Sequence, residues 1–389
     1  MHGYEVIIAG GSISGLLTAR EIAKNGHSVL VLEEGFEVGT PDHCGGMVSK
    51  SALIDLGIEP SQKTFDCMIN CAHIFSPNGK KLEIDSRNQQ IAIINRRELD
   101  KQAALQANQY GAEIMVQTSY KEKTKYGVKT SAGEIQCKIL VDCRGVGALI
   151  NNNRDGALLS AQYEVYADWI VDGQVEVYFD QIKYPDFFAW IIPSRKGIGK
   201  VGVAGKEINT SKTIEMFLKS KGGCSTIRKI FSPIWVNGPI KKFVTRDIVT
   251  VGDAAGQSKP TTAGGIYSCG IGGIMAGQAV AKYLETHKLF HLQQYKKSWN
   301  NKFGREFEKQ RLARRILERV DNKTIDKLFN TITPKIIAEI SDKDDFDFHA
   351  VSIVKLLGIR KSLSTAQNIM SGEIKHLLTG KSHPTASKV

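Results

Sequence analysis

The chain has 389 residues, 42% of them hydrophobic, and a formal net charge of +12 at neutral pH. This length allows two or three domains around a sizeable core, and the positive charge indicates an anionic partner such as a phosphorylated substrate or an acidic lipid. Nucleic acid is not expected as a partner, because no recognised nucleic-acid motif accompanies the charge. The sequence lacks an apolar run of about eighteen residues and reads as a strand from its start, so we expect no transmembrane helix, no signal peptide and a cytoplasmic location.

The seven cysteines are scattered and lack paired C-x-x-C spacing. This pattern argues against a disulfide framework and against a structural zinc site. Cys67, Cys71 and His73 lie close in sequence, but a fourth ligand is not evident. The interpretation we favour is a strand with small buried thiols, and no metal is expected.

The first thirty-odd residues predict a strand, a glycine turn, a helix and a second strand. The strand covers residues 4–9, the helix 16–25 and the second strand 28–32, which ends at Glu33. A dinucleotide needs this arrangement, because its pyrophosphate binds the free N–H groups at the helix N-terminus and an acid on the second strand binds a ribose hydroxyl. The turn residues expected to face the nucleotide are Gly10, Gly11, Ser12, Ser14 and Gly15.

Later segments predict a chain that leaves this nucleotide unit and returns to it. We expect a glycine-containing loop at 34–50, short strands at 66–94, a helix at 95–110 and a strand-to-helix passage at 248–255, followed by a small-residue helix from 261 to 284. The predicted domains are a discontinuous nucleotide-binding domain (1–65, 92–160 and 240–290), an antiparallel β-sheet domain (66–91 and 161–239) and a C-terminal helical domain (291–389).

Two stretches leave alternatives open. The sheet predicted at 162–204 carries many aromatic residues on one face, which suits either a wall for a large apolar ligand or ordinary core packing. The basic helices after residue 295 carry an apolar stripe at four-residue spacing, which suits either packing on the protein or peripheral contact with an acidic membrane. The stripe consists of Tyr295, Trp299, Phe303, Phe307, Leu312, Ile316 and Val320.

The second glycine turn resembles a known fingerprint. Gly252 and Asp253 follow a buried strand, and Pro260 and the run Gly264-Gly265-Ile266 come next, which is similar to the second fingerprint of glutathione-reductase-like flavoproteins of the hydroxylase branch. The resemblance implies FAD as cofactor, with Asp253 on its ribityl or ribose hydroxyls and the glycine turn at the flavin. It also implies that Arg96 lies near the FAD phosphates or ribityl chain.

A third stretch narrows the resemblance to the geranylgeranyl reductase family. Residues 188–193 (FAWIIP) and 200–205 (KVGVAG) look like its (Y/F)-x-W-x-F-P signature and trailing V-G-x-x-G, and residues 40–50 are similar to its P-x-x-C-G-E-G-L-S loop. Three departures are visible: Gly46 replaces Glu, Ile192 replaces the second aromatic residue, and residues 143–145 (CRG) replace an A-D-G run. The resemblance implies an α/β plus antiparallel-β fold, with a glutathione-reductase-like FAD domain of discontinuous Rossmann type, an antiparallel-sheet substrate domain and a helical C-terminal domain.

The activity implied by this family is saturation of geranylgeranyl C=C bonds by hydride from reduced FAD, in a membrane-lipid precursor or a prenyl diphosphate. Phe188, Trp190 and Pro193 are the implied substrate contacts, and Cys44 with Gly45 is expected against the flavin. We take Cys44 as a candidate catalytic residue that tunes the flavin or relays the proton; the alternative is a packing thiol.

Two rival functions and the electron donor stay open at this point. A flavin monooxygenase or halogenase on the same scaffold is separable by its need for oxygen, and a prenyl-binding escort protein would be colourless. The sequence shows a single dinucleotide-binding unit, so the electron donor could be ferredoxin, a deazaflavin or a nicotinamide nucleotide.

Overall fold

The computed structural model describes residues 3–151, 154–343 and 346–348. The strands are β1 (Tyr4–Ala9), β2 (Val29–Leu32), β3 (Met47–Ser49), β4 (Phe65–Met68), β5 (Cys71–Phe75), β6 (Lys81–Asp85), β7 (Ile91–Ile94), β8 (Glu113–Met115), β9 (Tyr120–Lys123), β10 (Gly127–Thr130), β11 (Gly133–Asp142), β12 (Ala157–Tyr166), β13 (Gln174–Tyr178), β14 (Ala189–Arg195), β15 (Ile198–Gly205), β16 (Ser225–Trp235), β17 (Val244–Thr245) and β18 (Ile248–Thr250). The helices are α1 (Ile13–Lys24), α2 (Lys50–Asp55), α3 (Arg96–Gln109), α4 (Val146–Ile150), α5 (Thr210–Ser220), α6 (Ile266–Thr286), α7 (Leu289–Trp299), α8 (Arg305–Leu317), α9 (Asn322–Thr331) and α10 (Pro334–Lys343). Two 3-10 turns (Arg87–Gln89 and Gly252–Ala255) and a π-helical turn (Asn300–Gly304) complete the set.

The first sheet has the order β17-β18-β11-β1-β2-β8 and is parallel from β18 to β8. Its central strands are apolar on both faces because both faces are covered: Val6 and Ile8 pack in one core cluster with residues of α1, α3 and α6, while Ile7 and Ala9 pack in another with Val128 of the β9–β10 hairpin. The predicted strand, glycine turn, helix and strand are therefore present, with α1 beginning at Ile13 rather than at 16.

Helix α6 packs backbone to backbone on α1. A Cβ atom at Gly273 would lie 2.4 Å from the carbonyl oxygen of Ser14, and the hydroxyl of Thr18 donates to the carbonyl of Gly273 at 3.1 Å. The small-residue helix predicted from 261 starts later, at Ile266, because residues 261–265 form the second glycine turn. Across the described ranges, no helix has both the length and the apolar character to cross a membrane.

The second sheet has the order β16-β12-β15-β14-β13-β5-β6 and is antiparallel except between β13 and β5. Its residues alternate between two faces. Val201 and Val203 pack on the face that α5 covers, whereas Trp190 and Ile192 face the other way. The strand β12 begins at Ala157, before the expected boundary at 161.

A small sheet of order β3-β7-β4 is formed by strands that lie between β2 and β8 in the sequence. The predicted insertion at 66–91 is thus split, since only β5 and β6 join the antiparallel sheet. The predicted combination of a parallel α/β sheet, an antiparallel sheet and C-terminal helices is confirmed.

The aromatic stripe of the C-terminal helices is buried. Tyr295, Trp299, Phe303 and Phe307 belong to the same core cluster as α1 and α6, and the indole N–H of Trp299 donates to the carbonyl of Ser268 at 3.0 Å. Of the two alternatives for this stripe, packing on the protein is therefore confirmed for these residues. The part of the helical domain predicted at 349–389 lies outside the described residues.

Candidate active site at the two glycine turns and the antiparallel sheet

The first glycine turn brings backbone segments closer together than a side chain would allow. Gly10 has φ +110°, and a Cβ there would lie 2.4 Å from the carbonyl oxygen of Cys143. A Cβ at Gly15 would lie 2.1 Å from the carbonyl oxygen of Gly10. Ser12 is the N-cap of α1 in an extended conformation. The N-terminus of α1, with its free N–H groups, is therefore held directly beyond the end of β1.

Glu33, which follows the end of β2, is hydrogen-bonded to this turn. Its two carboxylate oxygens accept hydrogen bonds from the backbone N–H groups of Gly11 at 2.9 Å and Gly35 at 2.7 Å. Burial raises the pKa of Glu33 above its ordinary value, although both hydrogen bonds act in the opposite direction. The carboxylate is thus in direct contact with the turn expected to hold the nucleotide.

This raised pKa predicts a pH dependence of stability. A raised pKa makes the folded state the stronger proton binder, so the stability due to Glu33 is present below about pH 4, the ordinary range of glutamate, and is lost as pH rises through the raised pKa. We expect the free energy of unfolding of the wild type, relative to Glu33→Gln, to fall over that interval. Urea unfolding of both proteins between about pH 4 and 8 tests this. A difference that stays constant with pH would contradict it.

The second glycine turn touches the first. Gly252 has φ +70°, and a Cβ there would lie 2.4 Å from the hydroxyl oxygen of Ser14. The thiol of Cys269 donates to Oδ1 of Asp253 at 3.3 Å, and a Cβ at Gly265 would lie 3.1 Å from the same oxygen. Gly264 and Ile266, the first residue of α6, flank this contact. The two sets of expected cofactor residues therefore come together in the fold.

Gln257 supports the second turn and was not expected from the sequence. Its side chain is fully buried; Oε1 accepts from the N–H of Gly252 at 2.7 Å, and Nε2 donates to the hydroxyl of Tyr295 at 2.9 Å. A lone glutamine five residues after Gly252 gives no sequence signal, since its role depends on the contact with α7.

Arg96, which is largely buried, forms an ion pair with the buried Asp100 one helical turn later. Its Nη2 lies 3.0 and 3.1 Å from the two carboxylate oxygens, while its buried Nε has no hydrogen-bond partner among the described residues. Burial opposes the charge, but the attraction of Asp100, and after it of Cys44 and Asp42, raises the pKa of Arg96. Arg96 is therefore a permanent, largely buried cation whose Nε–H finds no acceptor in the described part of the chain, which fits an anionic or hydroxyl-bearing ligand.

The loop that carries Cys44 is anchored to the antiparallel sheet. The carbonyl oxygen of Cys44 accepts from Nζ of Lys200 at 2.7 Å and from Nε2 of Gln162 at 3.4 Å. A Cβ at Gly45 would lie 2.7 Å from Cδ1 of Ile192. Cys44 itself is partly buried, and its Sγ accepts from the N–H of Gly46 at 3.4 Å.

Gly46 also explains a departure from the family pattern. It has φ +82°, and a Cβ there would lie 2.4 Å from the carbonyl oxygen of Ile94. A glutamate at this position would be strained by its backbone conformation and would clash with β7. The glycine is therefore required by this chain's own packing.

The candidate aromatic wall, Phe188 and Trp190, lies beside this loop and packs in an apolar cluster. The indole N–H of Trp190 donates to Oε1 of Gln162 at 3.2 Å, and a Cβ at Gly202 would lie 2.2 Å from the indole ring, so glycine makes room for it. Phe188 stacks on Phe187 with ring centroids 4.1 Å apart. The same apolar cluster includes Ala263 of the second glycine turn, which places the wall next to that turn.

Pro193 is not brought to this wall. Strand β14 alternates regularly up to Pro193, which puts Pro193 on the face of Ile191 beneath α5, opposite to Trp190.

Cys67 and Cys71, which were considered as metal ligands together with His73, are partly buried thiols on separate strands. In the portion of the chain that the structure describes, no cluster of His, Cys, Asp and Glu is suited to hold a metal ion.

Comparisons with known proteins agree with this architecture. Digeranylgeranylglycerophospholipid reductase 2 of Methanothermobacter thermautotrophicus is 28% identical over 87% of this chain and 94% of its own. A geranylgeranyl bacteriochlorophyll reductase-like structure from Thermoplasma acidophilum superposes with a TM-score of 0.82 at 20% identity, covering 94% of this chain and 99% of the other. A flavin-dependent brominase superposes with a TM-score of 0.66 at 15% identity, covering 94% and 100%. No protein-family model matches the chain.

The fold and the paired glycine turns are those of a class of proteins that includes flavin-dependent enzymes. Within that class, several curated relatives at 24–28% identity carry the same reductase name. The chain is therefore similar, over most of its length, to proteins named as reductases of geranylgeranyl lipids.

Proposed function

We propose that the protein is an FAD-dependent reductase that saturates C=C bonds of geranylgeranyl chains in precursors of archaeal-type membrane lipids. One observation carries the proposal: the aromatic wall is linked to the Cys44 loop through Trp190, Gln162 and the carbonyl of Cys44. A polyprenyl chain against Trp190 would lie next to the residues proposed to surround the flavin. The names of the curated relatives support the same substrate class.

The residues present fit FAD. The first turn would hold the pyrophosphate, Glu33 a ribose hydroxyl, and the free Nε of Arg96 an oxygen of the ribityl or phosphate chain. The remaining contacts are proposed for Cys44, Gly45, Gly252, Asp253, Gly264, Gly265 and Ile266. When bound and reduced, FAD supplies the hydride.

The protein itself contributes two things to the proposed reaction: it positions the double bond, and it supplies a proton. An isolated alkene offers no carbonyl to polarise, so the wall of Phe188 and Trp190 must hold the double bond in place and keep water out. As one alkene carbon receives the hydride, its neighbour must receive a proton. We assign that proton to Sγ of Cys44, which is then reprotonated from solvent.

The partners follow from this assignment. The substrate would carry phosphate, which the surplus of Lys and Arg suits, and the donor of electrons would be ferredoxin, a deazaflavin or a nicotinamide nucleotide. Because the aromatic stripe of α7 and α8 is buried, any contact with an acidic membrane would depend on surface charge rather than on that stripe.

The test is anaerobic incubation of the dithionite-reduced, full-length protein with a geranylgeranyl phospholipid, followed by mass spectrometry for added hydrogen pairs. Gly202→Ala is the variant compared with the wild type, because its Cβ would displace the Trp190 indole without touching the residues proposed to hold the flavin. We expect this variant to retain flavin and its turnover to fall by about tenfold or more. Product formed by the wild type without oxygen supports the reductase.

Two results would overturn the proposal. A requirement for oxygen, with incorporation of oxygen or halogen, would indicate the monooxygenase or halogenase alternative. A protein that stays colourless after reconstitution with FAD, yet binds the lipid, would indicate a prenyl-binding escort protein.

A further inference from the structure

A buried lysine links the antiparallel sheet to the Cys44 loop. Lys200 lies in the middle of β15 with 5% of its surface exposed, and its Nζ is 2.9 Å from Oδ2 of Asp42, which is 9% exposed. Burying two such charges costs much of what their attraction returns, so a buried ion pair is weak evidence of a stabilising role. The position of this pair therefore calls for another explanation.

The alternation of β15 places Lys200 on the active-site face. Val201 and Val203 pack beneath α5, while Lys200 and Gly202 share the face of Gln162 and Trp190. From there the ammonium group reaches two parts of the loop at once, the carboxylate of Asp42 and, at 2.7 Å, the carbonyl oxygen of Cys44.

The carbonyl of Cys44 needs such an anchor because a glycine, Gly45, comes directly after it. Gly46 is held by β7, since its carbonyl accepts from the N–H of Ile94 at 2.9 Å, but Gly45 has no Cβ to restrict the peptide that it shares with Cys44. The bond from Gln162 to the same oxygen is long, at 3.4 Å, and uncharged, so Lys200 supplies the shorter, charge-assisted bond. Asp42 in turn holds the ammonium through Oδ2, while its buried Oδ1 has no partner within the described part of the chain.

We propose that Lys200, held by Asp42, is a positioning residue that fixes the peptide carbonyl of Cys44 and so sets the orientation of the Cys44 thiol. The inference rests on the proposed function only where it places that thiol at the flavin. Lys200 acts through the loop and does not itself touch the reacting atoms.

The experiment measures the rate at which iodoacetamide alkylates Cys44, followed by peptide mapping, in the purified full-length protein with and without FAD. In Lys200→Met the Cys44 peptide loses its anchor, and we expect alkylation at least about tenfold faster, which corresponds to about 1.4 kcal/mol. Lys200→Arg, which keeps a charged donor, should stay within about threefold of the wild type. Lys196→Met, an exposed lysine of the same β14–β15 hairpin, is the matched control and should leave the rate unchanged.

A second variant separates positioning from charge balance. Lys200→Met leaves Asp42 as an unpaired buried carboxylate, whereas Lys200→Met with Asp42→Asn removes both charges and still lacks the carbonyl anchor. We expect the double variant to regain thermal stability and to keep the fast alkylation of Cys44. In active enzyme both variants should lower kcat with little change in the KM for lipid.

Several outcomes would overturn the inference. One is an alkylation rate within about twofold of the wild type in a folded Lys200→Met or double variant; another is failure of both variants to fold, which would make the pair purely structural. The alkylation assay needs no lipid, so a wild type that fails to reduce the alkene overturns the proposed function without touching this result.

Discussion

Replacing Arg96 with methionine is expected to lower the free energy of unfolding by about 3–5 kcal/mol and to abolish stable flavin binding. The substitution leaves Asp100 as a buried carboxylate without its cation. Asp100 already has a pKa raised by burial, with Arg96 acting against the rise, so without Arg96 the pKa should rise further. The deficit of stability should therefore be smallest at acidic pH and grow as pH increases through that pKa.

The neighbouring arginine provides the matched control. Arg97 pairs with Glu37 at 3.2 Å near the surface, and Glu37 keeps Lys101 as a second partner at 2.8 Å. Arg97→Met should therefore leave the free energy of unfolding close to that of the wild type. Adding Asp100→Asn to Arg96→Met should recover most of the stability without restoring the flavin. Equal losses for the two single variants, in urea unfolding and flavin absorbance, would contradict the role given to Arg96.

Gly15→Ala is expected to prevent flavin binding and to cost at least about 2 kcal/mol of stability. The added methyl group would lie 2.1 Å from the carbonyl oxygen of Gly10, which belongs to the backbone and cannot turn away as a side chain could. Relief requires α1 to move away from β1, which would displace the helix N-terminus proposed to face the pyrophosphate. Absorbance of the purified protein and its thermal unfolding measure the two effects.

Gly147→Ala is the corresponding control. Gly147 is exposed in the short helix α4, and a Cβ there would meet no described atom within 4 Å. Alanine favours a helix by about 0.5–1 kcal/mol over glycine, so this variant should be neutral or slightly more stable and should keep its flavin. A Gly15→Ala protein that stays yellow and equally stable would show that the close approach at the first turn is not essential.

The sequence was most informative where the signal is local. The spacing of Gly10, Gly15 and Glu33 encodes a complete strand-helix-strand unit, and the four-residue spacing from Tyr295 to Phe307 encodes a buried helical stripe. In both cases the residues that must come together are separated by few positions. The fold class and the two glycine turns followed from such patterns and from the family resemblance.

The contacts around Cys44 depend on residues that are distant in the chain. Lys200 contacts Asp42 only because β15 passes beneath the loop. The sequence did carry one signal of a special role for Lys200, since it is the single charged residue in a strand of glycine and aliphatic residues. Pro193 was grouped with Trp190 because they share a motif, yet three positions along a strand reverse the face. Gln257 and Gly46 owe their roles to α7 and β7, which their neighbours in sequence do not reveal.

The path of the chain through the parallel sheet has a consequence for biosynthesis. Strand β18, which pairs with β11, is separated from it in sequence by five of the seven strands of the antiparallel sheet, β12 to β16. During translation the edge of β11 that pairs with β18 therefore has no hydrogen-bonding partner while the intervening segment emerges from the ribosome. An exposed edge of this kind invites mispairing, so the nascent chain should depend on chaperones until residues 248–250 arrive.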